Sequence, residues 1–271
     1  MLAEICFLEA PQHRGVDMVL ETRIDAVDGL DIDGAVFIEG SPTAGAAGIL
    51  AVNYLRETFD AVLVAEIVSP HFPQISIIDD DGIASRPKLE LYLVNLKGLK
   101  LLLLSRVFPV ESNEGSYELA SKLYQFLSRH NVNEYLVLAS GRVTGDGSVF
   151  VSTTSLDQSK ALLDAGAKRS PSLETLPVDR VSGFLMLFFA REGKKVSMLF
   201  SDSASYIPDH LAARKLLEVV SRYLGIEVDF KALDTEIEKQ AKAMQEVEQL
   251  GLTGRKIVSD EKPSREPFYI G

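Results

Sequence analysis

The sequence predicts an α/β fold, a three-layer sandwich with a mostly parallel sheet, followed by a C-terminal helix and a flexible tail. Short apolar runs alternate with helical patterns along the first two-thirds of the chain, and βα units of this length usually build parallel sheets covered by helices. Hydrophobic residues make up 46% of the 271 residues and charged residues 25%. A chain of this size and composition buries a large core without disulfides or metal.

The predicted strands are short and apolar. Some of them are continuous apolar runs, which are typical of strands buried on both faces of a sheet. Two further runs are separated only by Lys97-Gly98 and predict a hairpin, which adds an antiparallel edge. The predicted strands are residues 35–39, 61–67, 89–96, 99–105, 135–139, 149–151 and 196–200.

Helical spacing of apolar residues lies between these strands. Asp209 is a predicted N-cap, and Gly225 is the predicted stop, of a helix that runs through Tyr223. Residues 184–190 are apolar throughout, so their periodicity fits a buried helix and a buried strand equally well. The other predicted helices are residues 43–56, 116–129 and 156–163.

The C-terminal part of the chain has a different character from the rest. Apolar residues recur after residue 230 at a mean step of about 3.4 residues, close to the 3.5 of a coiled-coil seam. We therefore predict a globular domain at residues 1–230 and an amphipathic helix at 231–250, with an ordinary surface helix packed on its own domain as the alternative. The residues of the predicted seam between protomers are Leu233, Ile237, Met244 and Val247.

The last residues of the chain predict a tether. Residues 251–271 are mostly polar and are interrupted by proline, a composition typical of a flexible segment. This predicted tail carries a short apolar and aromatic end, Phe268, Tyr269 and Ile270, and closes with Gly271. We expect these four residues to contact a partner protein.

Charge and cysteine content exclude several classes of function. The formal net charge is −11, and this field repels nucleic acids and anionic membrane surfaces. The single cysteine, Cys6, lies in an apolar run and is interpreted as a small buried hydrophobe. The longest apolar stretch is far shorter than the roughly 18 residues of a membrane span. We expect a cytoplasmic protein that binds neither nucleic acid nor membrane.

A glycine-rich turn occupies the place of a nucleotide-binding loop, between a strand and a helix. Its spacing from Gly40 to Gly45 is that of a Walker loop, but Ala46 and Ala47 stand where lysine and serine or threonine are needed. We interpret Gly40, Pro42, Gly45 and Gly48 as a structural turn in which small residues let helix and sheet approach closely. Anion binding by the backbone at the helix start is the alternative.

The other residues of types that catalyse reactions or bind metals form no catalytic set. The four histidines, His13, His71, His130 and His210, are dispersed without metal-ligand spacing. The acidic run at residues 79–81 lacks the other ligands of a calcium loop, which favours a solvated turn. Arg106 and Glu111 follow a predicted strand, at the edge where open α/β sheets bind ligands. We predict no metal, no cofactor and no enzymatic activity.

Several segments together resemble the proteasome assembly chaperone 2 family. Residues 40–48, Gly-Ser-Pro-Thr-Ala-Gly-Ala-Ala-Gly, resemble the Gly-x-Pro-x-x-Gly-x-x-Gly turn of that family. Residues 136–141, 181–183, 208–213 and 224–229 resemble its later motifs, and the resemblance extends over about residues 30–250. It implies a fold related to nucleoside phosphorylases without their catalytic residues, and it favours a helix at residues 181–191.

The resemblance also implies a function. Archaeal members are similar to homo-oligomeric chaperones that promote assembly of proteasome α-subunit rings and reach the ring with C-terminal arms. Proteasome-docking tails usually end in a hydrophobic residue, tyrosine and one further residue. Here Tyr269 is third from the end because Gly271 follows Ile270. A pocket that pairs the terminal carboxylate with a lysine would therefore be out of register by one residue.

Three functions follow from these observations. The first is a non-enzymatic chaperone or adaptor that binds proteasome α-subunits or the α-ring and self-associates. The second is a hydrolase or ligase that binds a phosphate-bearing ligand at the glycine turn, although no charged partner for the phosphate is adjacent in sequence. The third is a structural self-assembly module whose tail folds back on its own oligomer.

Overall fold

The computed structural model describes residues 20–78, 80–170, 178–203 and 207–260, and within 246–260 it describes the backbone alone. The described strands are β1 (Arg23–Ala26), β2 (Val36–Gly40), β3 (Val62–Val68), β4 (Ile77–Ile78), β5 (Ala84–Ser85), β6 (Leu89–Leu96), β7 (Leu99–Ser105), β8 (Glu134–Gly141), β9 (Val149–Thr153), β10 (Lys168–Arg169) and β11 (Lys195–Asp202). The described α-helices are α1 (Ala47–Thr58), α2 (Asn113–Arg129), α3 (Leu156–Asp164), α4 (Arg180–Arg191), α5 (His210–Leu224) and α6 (Lys231–Asp260).

Nine of the described strands form one mixed sheet in the order β1-β3-β6-β7-β2-β8-β11-β9-β10, and β4 and β5 form a separate two-stranded ribbon. In the centre, β7, β2, β8 and β11 are parallel to one another. On one flank, β1, β3, β6 and β7 pair antiparallel. On the other flank, β9 is antiparallel to β11 and parallel to β10.

The sheet separates two hydrophobic cores, so the molecule has three layers. Helices α2 and α4 cover one face, where Leu123 and Phe189 are buried against the sheet. Helices α1, α3 and α5 cover the other face, and the first turn of α6 packs there through Leu233. The predicted α/β sandwich is confirmed. The antiparallel share of the sheet exceeds the single hairpin that was predicted, because β1 and β3 extend that hairpin and β9 reverses direction beside β11.

Local sequence signals set the ends of several helices. The Asp209 side chain accepts a hydrogen bond from the Ala212 N–H at the start of α5, and Gly225 ends that helix in the left-handed conformation. Asp179 caps α4 by accepting hydrogen bonds from Val181 N–H and Ser182 N–H. The segment at 181–191, which the resemblance favours as a helix, is helical.

Helix α6 is longer than its apolar repeat predicts. The repeat indicates an end at residue 250, whereas the helical backbone continues to Asp260. A glycine inside a helix costs only about 1 kcal/mol relative to alanine. Gly251 and Gly254 therefore do not end the helix, although they coincide with the loss of the apolar pattern.

Candidate functional site

The carboxyl ends of the central parallel strands meet at one edge of the sheet. The loops that follow β2, β7, β8 and β11 therefore lie side by side, which is where open α/β sheets form their ligand sites. Arg106 comes directly after β7, as the sequence predicts, and its N–H donates to the Gly40 carbonyl at the end of β2. Any ligand chemistry of this fold is expected at this edge.

Arg106 is fully buried and holds together a cluster of polar side chains from three elements. Its guanidinium pairs with Glu39 on β2 and with Asp179 at the start of α4. It also donates to Ser182 Oγ at 3.0 Å, and Ser182 Oγ donates to Glu39 Oε1 at 2.9 Å. The Tyr135 hydroxyl, from β8, donates to the second oxygen of Glu39. Nη1 of this guanidinium has no hydrogen-bond partner, as is also true of three other buried side-chain atoms in the described part of the chain, Ser105 Oγ, Gln158 Nε2 and Ser201 Oγ.

Burial and charge together fix the protonation of this cluster. Burial opposes the charge of Arg106, but the carboxylates of Glu39 and Asp179 outweigh it and hold the pKa of Arg106 above its usual value. Burial and the neighbouring Glu39 carboxylate raise the pKa of Tyr135 well above its usual value. The tyrosine therefore stays protonated and the arginine stays charged at neutral pH.

This cluster acts as a structural clamp. Glu39 is fully buried and accepts from three side chains, so it has no free face for a substrate. The clamp joins the ends of β2 and β7 to the first turn of α4. Sequence reasoning singled out Arg106 but missed Glu39, Tyr135, Asp179 and Ser182. A signal was present, because Glu39 and Arg106 are opposite charges at the ends of two apolar runs.

Glu111, the other residue predicted at this edge, lies outside the clamp. It is exposed, and its backbone carbonyl accepts a hydrogen bond from Arg180 at 2.7 Å. No hydrogen bond among the described residues joins the Glu111 side chain to Glu39 or Asp179. The two residues that the sequence placed at this edge therefore do not form one site.

The glycine turn at residues 40–48 is in close contact with the sheet. A Cβ atom on Gly48 would overlap the Leu138 carbonyl, and one on Gly40 would lie 2.6 Å from the Gly48 oxygen. Gly45 adopts a left-handed conformation with φ of 74°, which glycine tolerates best. The turn thus has the close approach of helix and sheet that its small residues predict.

The backbone groups of this turn are occupied by the protein itself. Ser140 Oγ accepts from Ala47 N–H at 3.2 Å and donates to the Ala44 carbonyl at 2.6 Å. The Gly45 carbonyl accepts from Asp209 N–H at 2.8 Å. An anion at the start of α1 would have to displace Ser140, so the geometry argues against a phosphate cradle.

Asp202 organises the neighbouring loop at the same edge. Its carboxylate accepts from the backbone N–H groups of Val143, Thr144, Gly145 and Asp146 and from the Thr144 hydroxyl. Burial alone would raise the pKa of Asp202, but these hydrogen bonds hold it below its usual value. Like the clamp, this carboxylate is fully engaged in holding a loop.

The predicted seam on α6 is divided between two environments. Leu233 is only 4% exposed and belongs to the core of its own domain, and Ile237 packs partly against that core. Gln240 donates to the Pro208 carbonyl at 2.6 Å, whereas residues 241–245 are all exposed, Met244 at 59%. Leu233 is therefore not available to a partner, because its own domain covers it. Val247 lies on the helix, but its side chain is outside the described residues.

Several predicted residues lie elsewhere. Cys6, His13 and the tail end at 268–271 are outside the described residues. His71 contacts Glu118 at 3.1 Å and His130 contacts the ring of Phe126, while His210 begins α5. Over the described ranges, no group of three or more metal-ligating side chains comes together. None of the described helices has an apolar stretch long enough to span a bilayer.

Comparison with known proteins agrees with the fold. A crystal structure of Pyrococcus furiosus PbaB, an archaeal proteasome activator, matches with a TM-score of 0.77 and 26% identity. This match covers 84% of the present chain and 99% of PbaB. A crystal structure of Pyrococcus furiosus PbaA, an archaeal homologue of proteasome-assembly chaperone, matches with a TM-score of 0.71 and 23% identity. This match covers 88% of the present chain and 96% of PbaA.

Sequence comparison supports the same grouping. An uncharacterised protein of Methanocaldococcus jannaschii is 24% identical over 256 residues, which are 89% of this chain and 93% of that protein. A sequence model of the PAC2 family matches residues 37–248, from β2 into α6. The chain therefore belongs to the PAC2 family.

Proposed function

We propose that this protein is a non-enzymatic, homo-oligomeric chaperone or adaptor of the proteasome that acts in the cytoplasm. In this proposal its C-terminal tails bind proteasome α-subunits or the α-ring and assist assembly of the core particle. Family membership supports it, as does the similarity to PbaB and PbaA, whose own descriptions name proteasome activation and assembly.

The observation that carries the proposal is the course of α6. The helix is held to the domain by Leu233, Ile237 and Gln240, and from Ala241 onward its described side chains are exposed. At 1.5 Å per residue, the helix from Ala241 to Asp260 is about 30 Å long. A helix of this length can hold whatever follows Asp260 away from the domain, where a large partner could reach it.

The carboxyl edge of the sheet supports a binding role over an enzymatic one. The Arg106 clamp is closed by its own side chains, and the glycine turn uses its backbone groups internally. Neither arrangement leaves a nucleophile, base or phosphate-binding group directed to solvent. We therefore place the function on the surface and on the tail.

Deleting residues 267–271 should abolish binding to isolated proteasome α-subunits. Phe268, Tyr269 and Ile270 are large side chains, and burying apolar surface yields about 25 cal/mol per Å². Tyr269→Ala should cause most of the loss, since a tyrosine supplies ring area and a hydroxyl. Binding can be measured by surface plasmon resonance, with circular dichroism and light scattering as checks on fold and mass.

Two further variants sharpen this test. Ser264→Ala changes the same tail outside the aromatic end and should bind like the unchanged protein. Removal of Gly271 makes Tyr269 penultimate, and we expect it to strengthen binding because the terminal carboxylate then comes into register. If the truncated protein binds α-subunits as tightly as the full chain, the tail is not the contact and the proposal fails.

A further inference from the structure

An exposed ribbon projects from the carboxyl edge of the sheet between β3 and β6. It comprises β4, β5 and the described residues beside them, 75–78 and 80–85, and we call it the isoleucine ribbon. An isolated two-stranded ribbon has no core of its own and is marginally stable in water. Yet Ile75, Ile77, Ile78 and Ile83 are 58%, 43%, 67% and 61% exposed. Four large apolar side chains concentrated on one small projection indicate a contact surface.

An apolar groove lies on the outer side of α4. Apart from its two terminal arginines, α4 carries no charged residue, and a helix that is apolar all round is normally buried on every side. Nevertheless Leu187 is 65% exposed, and Phe184 and Met186 are only partly covered. With Val178 and Ala190 these side chains line a groove of about 520 Å³, which we call the α4 groove.

The isoleucine ribbon and the α4 groove lie toward opposite ends of the sheet. The ribbon connects β3 to β6, next to the β1 end, whereas α4 packs over β8 and β11, and Thr154 beside β9 lines the groove. Three strand spacings separate β6 from β8, and each is about 4.8 Å. A projection and a groove at two separate places on one chain are what a head-to-tail contact between identical chains requires.

The charges around the two surfaces are complementary. Asp80 and Asp81 are exposed at the tip of the ribbon. Arg180, the exposed first residue of α4, lines the α4 groove, and the exposed Arg191 follows its lining residue Ala190. Opposite charges at the rim of an apolar contact set its orientation and disfavour wrong pairings.

We propose that the isoleucine ribbon of one copy docks in the α4 groove of the next copy. The occupant of the groove is thus a second copy of this chain, and the contact is heterologous, so it builds a ring when the rotation closes. This inference rests on the self-association within the proposed function and assigns it a surface. It does not involve the tail.

Matched single variants test the two halves of this contact. Ile78→Glu changes the ribbon and Leu187→Glu changes the groove, at side chains of nearly equal exposure. Each buries an unpaired charge in the docked state, so self-association should weaken about a hundredfold or more. Light scattering should then show a lower mass, with a circular dichroism spectrum like that of the unchanged protein. Val62→Glu, at a 58% exposed residue outside both surfaces, should keep the full mass.

Mixing the two variants separates a contact of ribbon with groove from one in which like surfaces meet. A groove variant still has an intact ribbon, and a ribbon variant still has an intact groove. Their mixture should therefore form pairs with one intact contact, while each variant alone does not. If instead ribbon packed on ribbon and groove on groove, every mixed pair would keep a damaged surface, and mixing would restore nothing.

Several outcomes would overturn this proposal. They are a monomeric wild type, full mass for either single variant, or single variants that dissociate without pairing when mixed. A groove occupied by the chain's own N-terminal segment or tail also predicts full mass for Leu187→Glu. The result is independent of the tail, because Ile78→Glu keeps residues 267–271 and should still bind isolated α-subunits.

Discussion

Arg106 shows how a single residue at the candidate site stabilises the fold without a free chemical function. Its charge is buried, and two carboxylates from different elements neutralise it. Burying an ion pair is costly in itself, but removing one partner is worse, because the remaining charges lose both water and their counter-ion. The clamp therefore fixes the first turn of α4, the helix whose outer side forms the α4 groove.

Arg106→Met should lower the free energy of unfolding by about 3–5 kcal/mol, because Glu39 and Asp179 are left buried without a cation. Lys122→Met is the matched control. It breaks the ion pair with Glu21, in which both side chains are well exposed, and should cost less than about 1 kcal/mol. Urea denaturation at neutral pH measures both values. Similar midpoints for the two variants would contradict the clamp.

At the scale of elements, α6 has two parts with different neighbours. Its first part covers the core between α5 and the sheet through Leu233 and Ile237, and its second part begins where these contacts end. Sequence periodicity runs through both parts without a break. The two parts differ in the structure around them. Because Leu233 and Ile237 pack on their own domain, Met244 and Val247 are the residues of the predicted seam for which a contact between protomers stays a prediction.

Substitutions to glutamate in the two parts of α6 should have different effects, one on stability and the other on the mass of the oligomer. Ile237→Glu places a charge against the core of its own domain and should lower stability by about 1–3 kcal/mol. Met244→Glu should change stability by no more than about 0.5 kcal/mol, but it should lower the mass of the oligomer. Thermal denaturation and light scattering on the same samples separate these effects. Full mass for Met244→Glu would rule out a seam on this part of α6.

The elements themselves were largely predictable because their signals are local. The hairpin of β6 and β7 has the predicted bounds, since Gly98 marks its turn and continuous apolar runs flank it. Asp209 and Gly225 likewise set the ends of α5. Strand β1 was not predicted, because Arg23–Ala26 has few apolar residues and gains its partner from β3, far along the chain.

The candidate site was less predictable because it depends on which strands become neighbours. Glu39 and Arg106 are distant in sequence, and they meet only because β2 and β7 pair in parallel. Asp179 adds a third element through its cap on α4. The exposed isoleucines of the ribbon also escape a periodicity analysis, since the pattern of a strand does not reveal whether anything covers it.

At the scale of the whole molecule, the proposed surfaces have separate tasks. The α4 groove and the isoleucine ribbon would join copies of the chain, and each α6 would carry one tail away from the body. Multiple tails on one oligomer turn later binding events into intramolecular ones, so avidity exceeds the affinity of one tail by roughly a hundredfold or more. This gain needs a target with several equivalent sites, such as an α-ring, and vanishes on a single α-subunit.

The double variant Ile78→Glu with Met244→Glu tests this division of tasks. Both side chains are exposed and neither belongs to a core, so the variant should fold as a monomer with an intact tail. Its affinity for an isolated α-subunit should equal that of the unchanged protein, whereas its affinity for an assembled α-ring should fall roughly a hundredfold or more.

Val62→Glu serves as the control and should show neither loss. Isothermal titration calorimetry in solution, with isolated subunits and with assembled rings, gives the two affinities. Equal losses on both targets would mean that the ribbon or α6 contacts the α-subunit directly. No loss on either target would mean that one tail supplies all of the binding, and self-association would then add nothing to the affinity for the ring.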